Sequence, residues 1–401
     1  MPTFTFETIR FTNGKDYVKV NFLKIYEFEI LKEDLNKIAK FTVEGNSISF
    51  ENVSEESASR KFHDLLFKGF QNLKNLVTKK PATYIHKNSG IPLIGNISFG
   101  LLDRGTNIIE VRPISGCNIR CTYCSVNDDA RIRDIIVEKD YLVQEFKKLI
   151  KIKKPPVEAH IASQGEPTLY ADMVPLIKDL RALPEVGTIS IDTNATLLNE
   201  KFVDELINAG LTRFNLSLNA MNNEVALKIA DAPYNHKRIL EITKYISTKT
   251  NLIIAPVWVP GVNDSEMEEI VKFASTLKNN KFMLKIGIQK FLPYKLGRNP
   301  AKEMPWEDFN EKMSGFKRKY GEELFVKFED FNIEISESMP KIAKKKEIVD
   351  AEILADGRLP GEKIAVSKDR VISVFGETKN KKVKIKLFRT KHNIYAGSVV
   401  K

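Results

Sequence analysis

The sequence predicts an α/β protein: a partial (β/α)6 TIM-type barrel, preceded by an α+β domain and followed by a small OB-like β-barrel. Three observations predict it. Between residues 100 and 325, apolar β-branched runs alternate six times with amphipathic segments, the pattern of βαβ units and a parallel sheet. Six such units amount to three quarters of a TIM barrel. Residues 1–99 instead mix short β-rich runs with one helix. Beyond a linker at 326–340, residues 341–401 crowd five short β-rich runs into one compact segment, which suits a small closed barrel.

In the first segment FTFETIRF, DYVKVNFLKIYEFEIL and KFTVEGNSISFENV supply the β-rich runs. The helix that follows starts at a Ser54 cap, has Glu55 and Glu56 in its first turn, and carries Phe62, Leu65, Leu66 and Phe70 at helical spacing. The central strands are expected at 108–115, 157–163, 188–194, 213–219, 252–259 and 284–291. Helices are expected near 137–151, 172–182, 199–209, 236–248, 264–278 and 306–320. The last segment offers EIVDAEILA, KIAVSK, RVISVFG, KVKIKLFR and IYAGSVV, separated by turns such as Asp356-Gly357 and Lys379-Asn380.

The chain is 401 residues long, 42% hydrophobic and 29% charged, the balance of a soluble protein of two or three domains. No run reaches the ~18 apolar residues of a membrane span. The N-terminus MPTFTFETIRF has no basic segment followed by an apolar one. A cytoplasmic protein without a membrane partner is therefore expected. Net charge is +11, but 341–401 hold 16 Lys+Arg against 7 Asp+Glu and so carry nine of the eleven positive charges. The basic character belongs to the C-terminal module.

All three cysteines stand in GCNIRCTYC, as Cys117, Cys121 and Cys124. An odd number in one cluster cannot be a disulfide framework. A loop following the first central strand can converge three thiolates on one soft centre, of iron or of zinc. A zinc site is normally completed by a further Cys or His, and the nearest histidines in sequence, His86 and His160, are more than thirty residues away. One coordination position is left open, which is where a metal site takes substrate or cofactor.

C-x-x-x-C-x-x-C, with Tyr123 before its last cysteine, resembles the signature of the radical S-adenosyl-L-methionine (SAM) superfamily. Further segments resemble that family in order. Gln164-Gly165-Glu166-Pro167 is similar to its GGE segment, with Gln164 in place of the first glycine. Thr193-Asn194-Ala195-Thr196-Leu197-Leu198 resembles TNGTLL, and Leu216-Ser217-Leu218-Asn219-Ala220 resembles an SLDA segment, with Asn219 for Asp. Pro260-Gly261-Val262-Asn263-Asp264 resembles a PGxND turn. All fall at carboxyl ends of expected strands, where barrel active sites are built.

The resemblance implies a 4Fe-4S cluster on the three cysteines, with the fourth iron chelating SAM. It also implies SAM contacts at Tyr123, Gln164, Gly165, Glu166, Pro167, Thr193, Asn194, Ser217 and Asn219. Glu166 is then a charged partner for the SAM ammonium, and Tyr123 packs near adenine. The implied reaction is reductive homolysis of SAM to a 5′-deoxyadenosyl radical, which abstracts hydrogen from substrate, with ferredoxin or flavodoxin as electron donor. No individual catalytic residue is implied. With no cysteine beyond the cluster loop, branches that need auxiliary clusters or a methylated cysteine are excluded, and residues 1–99 lack the pattern of a cobalamin domain.

The basic C-terminal module resembles a TRAM domain, which implies RNA binding and favours tRNA. Lys382, Lys384 and Lys386 share one face of their strand, with Arg389 and Lys391 beyond them, and Phe375, Phe388 and Tyr395 are candidate stacking surfaces. The plainer reading is a solvated basic edge. In the loop after the sixth strand, Gln289, Lys290 and Tyr294 stand where substrate contacts fall, with Lys295 and Arg298 as phosphate contacts or merely loop charges. His160, His236 and His392 have no motif around them. The leading expectation is a radical SAM enzyme that modifies an RNA nucleotide. The alternatives are a protein or small-molecule substrate, and a non-enzymatic iron-sulfur RNA-binding protein. The resemblance is nearest to uncharacterised archaeal iron-sulfur oxidoreductases, in which a segment like Gly100–Asn107 precedes the cluster loop.

Overall fold

The computed structural model describes residues 1–278 and 280–400. All six expected central strands are present, in chain order and parallel. They are β2 (Ile108–Arg112), β3 (Val157–Ile161), β4 (Val186–Thr193), β5 (Arg213–Leu216), β6 (Asn251–Ile254) and β7 (Leu284–Ile286). The seventh member of the sheet, β1 (Gly100–Asp103), was not expected as a strand, and it extends the edge antiparallel to β2. Because right-handed crossovers between sequential parallel strands all fall on one side, the helices cover one face of the sheet. The strands alternate accordingly. Ala159, Ile161, Ile189, Ile191 and Phe214 are fully buried, while Glu158, His160, Asp192, Arg213 and Asn215 face an interior cavity.

The strands stop earlier than the sequence suggests, so the motifs lie in loops beyond their carboxyl ends. The 252–259 run breaks at Ala255-Pro256, because proline has no N–H for the ladder, and resumes at Val257–Trp258. The 284–291 run likewise divides at Gly287-Ile288. Its second piece, Gln289–Lys290, pairs in parallel with Val257–Trp258. The expected helices appear within a residue or two, at Lys139–Ile150, Met173–Arg181, Glu200–Asn208, His236–Ser247, Asp264–Leu277 and Trp306–Tyr320. The sequence reading missed the helix Asn223–Ala230, which helps build the site.

In the N-terminal segment, small antiparallel sheets pack with the helix Glu55–Gln71, whose first turn is capped by Ser54 Oγ accepting from Ser57 N at 3.3 Å. Phe4, Phe6, Phe11 and Phe50 surround Phe62. A boundary at residue 99 is crossed by Ala82–Ile85, which pairs in parallel with Asp134–Val137. The 326–340 linker is also tied down. Lys153 Nζ, fully buried, donates to Asp103 Oδ1 at 2.6 Å and to Glu337 O at 2.5 Å, and Asp103 Oδ2 accepts from Met339 N at 2.9 Å.

The C-terminal segment closes as a five-stranded barrel of β8 (Ile348–Asp356), β9 (Glu362–Ser367), β10 (Arg370–Phe375), β11 (Lys382–Arg389) and β12 (Ala396–Val399), in the order β8-β9-β10-β12-β11. Val349, Ile372, Val374, Ile385, Leu387 and Tyr395 form its own core. This barrel is hydrogen-bonded to the rest of the chain. Val371 N donates to Ile94 O at 2.9 Å and Tyr395 N to Gly95 O at 2.8 Å. Gly95, at φ +128°, is needed there because a Cβ would lie 2.2 Å from Val371 O.

Candidate active site

The loop after β2 carries the cysteines, and the helix Asn223–Ala230 anchors it. Arg120 N and Thr122 N donate to Ala230 O and Ile229 O at 2.9 Å each, so carbonyls that the helix end cannot use internally hold the loop. From the other side Gly165 presses against the loop's start. A Cβ at Gly165 would meet Gly116 O at 2.2 Å, and Glu166 N donates to the same oxygen at 2.8 Å. The glycine of the QGEP turn is required by this close approach.

The turn is stapled to β4 by the buried Glu166. Its Oε1 accepts from Thr168 N (3.0 Å), Thr168 Oγ1 (2.5 Å) and Thr193 Oγ1 (2.7 Å), and Oε2 accepts from Asn194 N (2.8 Å). Burial raises its carboxyl pKa even though all four donors pull the other way. Asn194 Nδ2 donates to Asn118 Oδ1 at 3.0 Å, and Asn118 Nδ2 to Thr196 Oγ1 at 2.7 Å, which ties the cysteine loop to the loop after β4. Sequence reasoning did not single out Asn118 or Thr196.

Cys117, Cys121, Cys124, Tyr123, Gln164, Gly165, Glu166, Thr193, Asn194 and Ser217 all line one cavity of about 760 Å³, together with Gln289, Lys290 and Tyr294. Pro167 is buried behind the turn. Asn219 faces a small side pocket, and its amide is committed within the protein. Its Nδ2 donates to Tyr123 Oη at 2.9 Å and its Oδ1 accepts from Val257 N at 2.8 Å. Its place is behind Tyr123 rather than in the cavity. Arg298 is an anchor of the cysteine loop and not a free phosphate contact. It pairs with Asp231 at 2.7 Å and donates to Arg120 O. Lys290 is held by Glu303 at 3.0 Å beneath the Trp306 ring, and Lys295 is exposed.

On the cavity floor His160, unassigned from sequence, makes bonds of 2.8 Å to Ser190 Oγ and 3.3 Å to Asp192. Arg213 pairs with Glu158 and packs over the Phe331 ring at 5.1 Å, and Asn215 Nδ2 donates to Asp192 at 2.9 Å. The period-2 polar positions of β3, β4 and β5 were the available signal for this network.

The residues fit an iron-sulfur cluster with SAM. Burial pushes the Cys117 thiol well up, with the Glu166 and Cys121 charges adding to it. Burial and Cys124 push Cys121 up to about 12, while a hydrogen bond from Tyr123 offsets part of the rise. Crowded thiols of this kind become ligating thiolates when a cationic centre offsets their mutual repulsion. Among the described residues no three His, Cys, Asp or Glu side chains are arranged to hold a single ion, whereas a cluster gives each cysteine its own iron. Thr122 Oγ1, Arg131 Nε, Ser163 Oγ and Arg358 Nη1, all beside this loop, are buried polar atoms without hydrogen-bond partners, the signature of a site built for a ligand.

In the C-terminal barrel Lys382, Lys384, Lys386, Arg389 and Lys391 are exposed, and Lys384 pairs across the strands with Asp350 at 2.9 Å. Phe388 is half exposed, 6.2 Å from Phe375. Tyr395 is fully buried and is therefore no stacking surface. It stands just before β12, and its hydroxyl donates to Asn393 Oδ1 at 2.9 Å and accepts from Ile342 N at 3.2 Å inside the module. Among the described residues no helix is long and apolar enough to cross a membrane.

Residues 111–274 match the model of the Radical SAM superfamily. An uncharacterized protein of Methanocaldococcus jannaschii is 36% identical over 361 residues, which is 82% of this chain and 83% of that protein. The GTP 3′,8-cyclase of Listeria monocytogenes is 30% identical over 174 residues, covering 41% of this chain and 49% of the cyclase, so the chain spans about half the length of that enzyme. Solved structures of similar shape include TYW1 with a lysine-pyruvate adduct bound, with a TM-score of 0.41 at 16% identity, over 53% of this chain and 73% of TYW1. Streptococcus suis SuiB bound to S-adenosylmethionine has a TM-score of 0.37 at 14% identity, over 79% of this chain and 69% of SuiB.

Proposed function

The chain belongs to the radical SAM superfamily, and from that premise we propose that this radical SAM enzyme modifies a nucleotide in RNA, tRNA being the favoured substrate. Cys117, Cys121 and Cys124 would hold the cluster, and Tyr123, the Gln164–Glu166 turn, Thr193, Asn194 and Ser217 surround the space beside them where SAM would bind. A cluster held there would, given one electron from a ferredoxin or flavodoxin, supply reductive cleavage of SAM to methionine and a 5′-deoxyadenosyl radical able to take hydrogen from substrate. The protein's part is to orient and to exclude water. Glu166 locks the QGEP turn against β4, Asn118 and Asn194 hold the cysteine loop, and apolar Ile253, Ile288 and Phe291 line the cavity beside them.

The observation that carries the RNA reading is the attachment of the basic barrel beside the cysteine loop, through Ile132 N donating to Arg358 O at 2.9 Å. The strand order β8-β9-β10-β12-β11, with β10 and β12 parallel, suits an OB-like or TRAM-like module. Exposed Lys382, Lys386, Arg389, Lys391 and Phe388 offer a backbone groove and a stacking ring. A nucleotide substrate also agrees with the names of the GTP 3′,8-cyclase relatives.

The test is binding of full-length protein to tRNA over a salt series, together with mass spectrometry of tRNA nucleosides from wild-type and deletion cells. A Lys382→Glu/Lys384→Glu/Lys386→Glu variant should bind about tenfold or more weakly, with a shallower salt slope. Salt-independent binding and identical nucleoside profiles would overturn the reading. The polar floor of His160, Asp192, Glu158 and Arg213 favours a second reading, a small polar substrate held inside the sheet. That reading predicts turnover to 5′-deoxyadenosine with a metabolite extract stripped of RNA.

A further inference from the structure

Gln164 stands where the resemblance to the family has glycine, and the structure gives its side chain a partner from the far end of the chain. Arg358 Nη2 donates to Gln164 Oε1. Arg358 lies in the turn between β8 and β9 of the C-terminal barrel, and that turn is rigid. Arg358 N and Leu359 N share Glu362 Oε2 at 2.9 and 3.0 Å, and Gly357 is required because a Cβ there would lie 2.4 Å from Glu362 Cγ. The Arg358 carbonyl accepts from Ile132 N at 2.9 Å, so backbone and side chain both grip the core.

Arg358 is 3% exposed, and its Nη1 has no partner. Arg131 also holds Gln164, by its backbone. Its Nη1 donates to Gln164 O at 2.9 Å and to Ser115 O at 3.1 Å, its Nη2 pairs with Asp128 Oδ1 at 2.8 Å, and its Nε is unpartnered. Burial, together with the Arg131 charge, lowers the Arg358 pKa to about 10, while Glu362 and Cys124 work to sustain its charge. Arg131 has Asp128 as its counter-charge, whereas Arg358 makes no ion pair among the described residues, and a buried guanidinium with an unmet donor is costly unless anionic charge stands nearby. Three thiolates and a SAM carboxylate are charge of that kind.

We propose that Arg358 is a positioning residue of the cluster and SAM site. Through Gln164 it fixes the turn beside SAM, and its charge, brought in by the C-terminal barrel, favours the reduced cluster. The Gln164 departure and the barrel's arginine are then one device, which makes the barrel a part of the cofactor site. This inference rests on family membership and does not use the RNA reading, so either can fail without the other.

The test uses the reconstituted full-length protein, with iron content, the midpoint potential of the cluster by EPR-monitored titration, and SAM affinity from the SAM-induced EPR change. Arg358→Gln should move the midpoint to a more negative potential, because the lost positive charge had stabilised the added electron. It should also weaken SAM binding roughly tenfold, the scale of one charge-assisted hydrogen bond. Arg358→Lys restores the midpoint but not SAM affinity, since a lysine lacks the fork that reaches Gln164. Gln164→Gly keeps the charge and loses only the acceptor, so SAM affinity falls while the midpoint holds. Arg358→Gln combined with Gln164→Gly binds SAM no worse than Arg358→Gln alone.

A folded Arg358→Gln protein with wild-type midpoint and SAM affinity overturns the proposal. So do additive losses in the double variant, which would leave the two residues acting separately. If Arg358→Gln fails to fold, Gln164→Gly decides, and unchanged SAM affinity in it overturns the proposal.

Discussion

Asn219 Nδ2 donates to the Tyr123 hydroxyl at 2.9 Å, and that hydroxyl in turn bonds Cys121. Asn219 is itself held by Asn263 Nδ2, which donates to Asn219 O at 2.9 Å. A hydrogen-bonded line therefore runs from the PGVND turn to a cysteine sulfur. Tyr123→Phe removes the donor to sulfur and leaves Asn219 Nδ2 unmatched. The expected outcome is a more negative cluster midpoint and a stability loss of about 1–3 kcal/mol, read by redox titration and urea denaturation. An unchanged midpoint would mean that the tyrosine only packs.

Glu166 accepts four hydrogen bonds on two oxygens. Glu166→Gln keeps the shape but turns an N–H2 toward a donor on whichever side it falls. We expect a loss of roughly 1–3 kcal/mol in denaturant unfolding of the apo protein, before any cofactor is added. A variant as stable as wild type would show that this carboxylate is not the staple between the QGEP turn and β4.

Lys153 and Asp103 are both fully buried, 2.6 Å apart. Lys153→Met leaves Asp103 without its counter-charge and releases Glu337 O, so it should cost about 3–5 kcal/mol. The 332–340 segment should become the preferred site of limited proteolysis, which peptide mapping detects. Cleavage at the wild-type rate is the contrary result.

The His160 and Asp192 pair gives a pH dependence. Burial works to lower the His160 pKa, but the Asp192 carboxylate outweighs it and leaves the value raised, and the same contact lowers Asp192. A raised folded pKa binds the proton more tightly when folded. Its stabilisation is therefore complete below the ordinary histidine value near ~6.5 and is lost as pH rises through the raised value, provided Asp192 stays ionised. His160→Gln should cost more stability at pH 6 than at pH 9 in thermal melts. A pH-independent loss of about 1 kcal/mol would assign His160 the Ser190 hydrogen bond alone.

The central strands, their helices and the cysteine loop were legible because each rests on local pattern, a period of 2 or 3.6 or a short spacing. The motif order then placed Cys117, Glu166, Asn194 and Ser217 at one end of the sheet, and one cavity gathers them. Asn219 was expected to contact SAM and Arg298 to be a phosphate contact or a loop charge, but their polar atoms are taken up by Tyr123, Val257 and Asp231. Tyr395 was read as a stacking surface and lies in the core, since its backbone is held between Gly95 and Ser373, partners that no local pattern reveals. The break at Pro256 had a signal in the proline itself, whereas the pairing of its second piece with Gln289–Lys290 had none.

The sequence by itself determined the class of chemistry, because three cysteines within eight positions and a GGE-like turn bring their ligands together through a few bonds of local chain. The tertiary structure alone decided what surrounds them. Gln164 and Arg358 are 194 residues apart, Asn118 and Thr196 are 78 apart, and His160 meets Asp192 only across paired strands. Such contacts depend on how whole elements pack, and closing the long loops between them is favourable only when a buried core forms along with them.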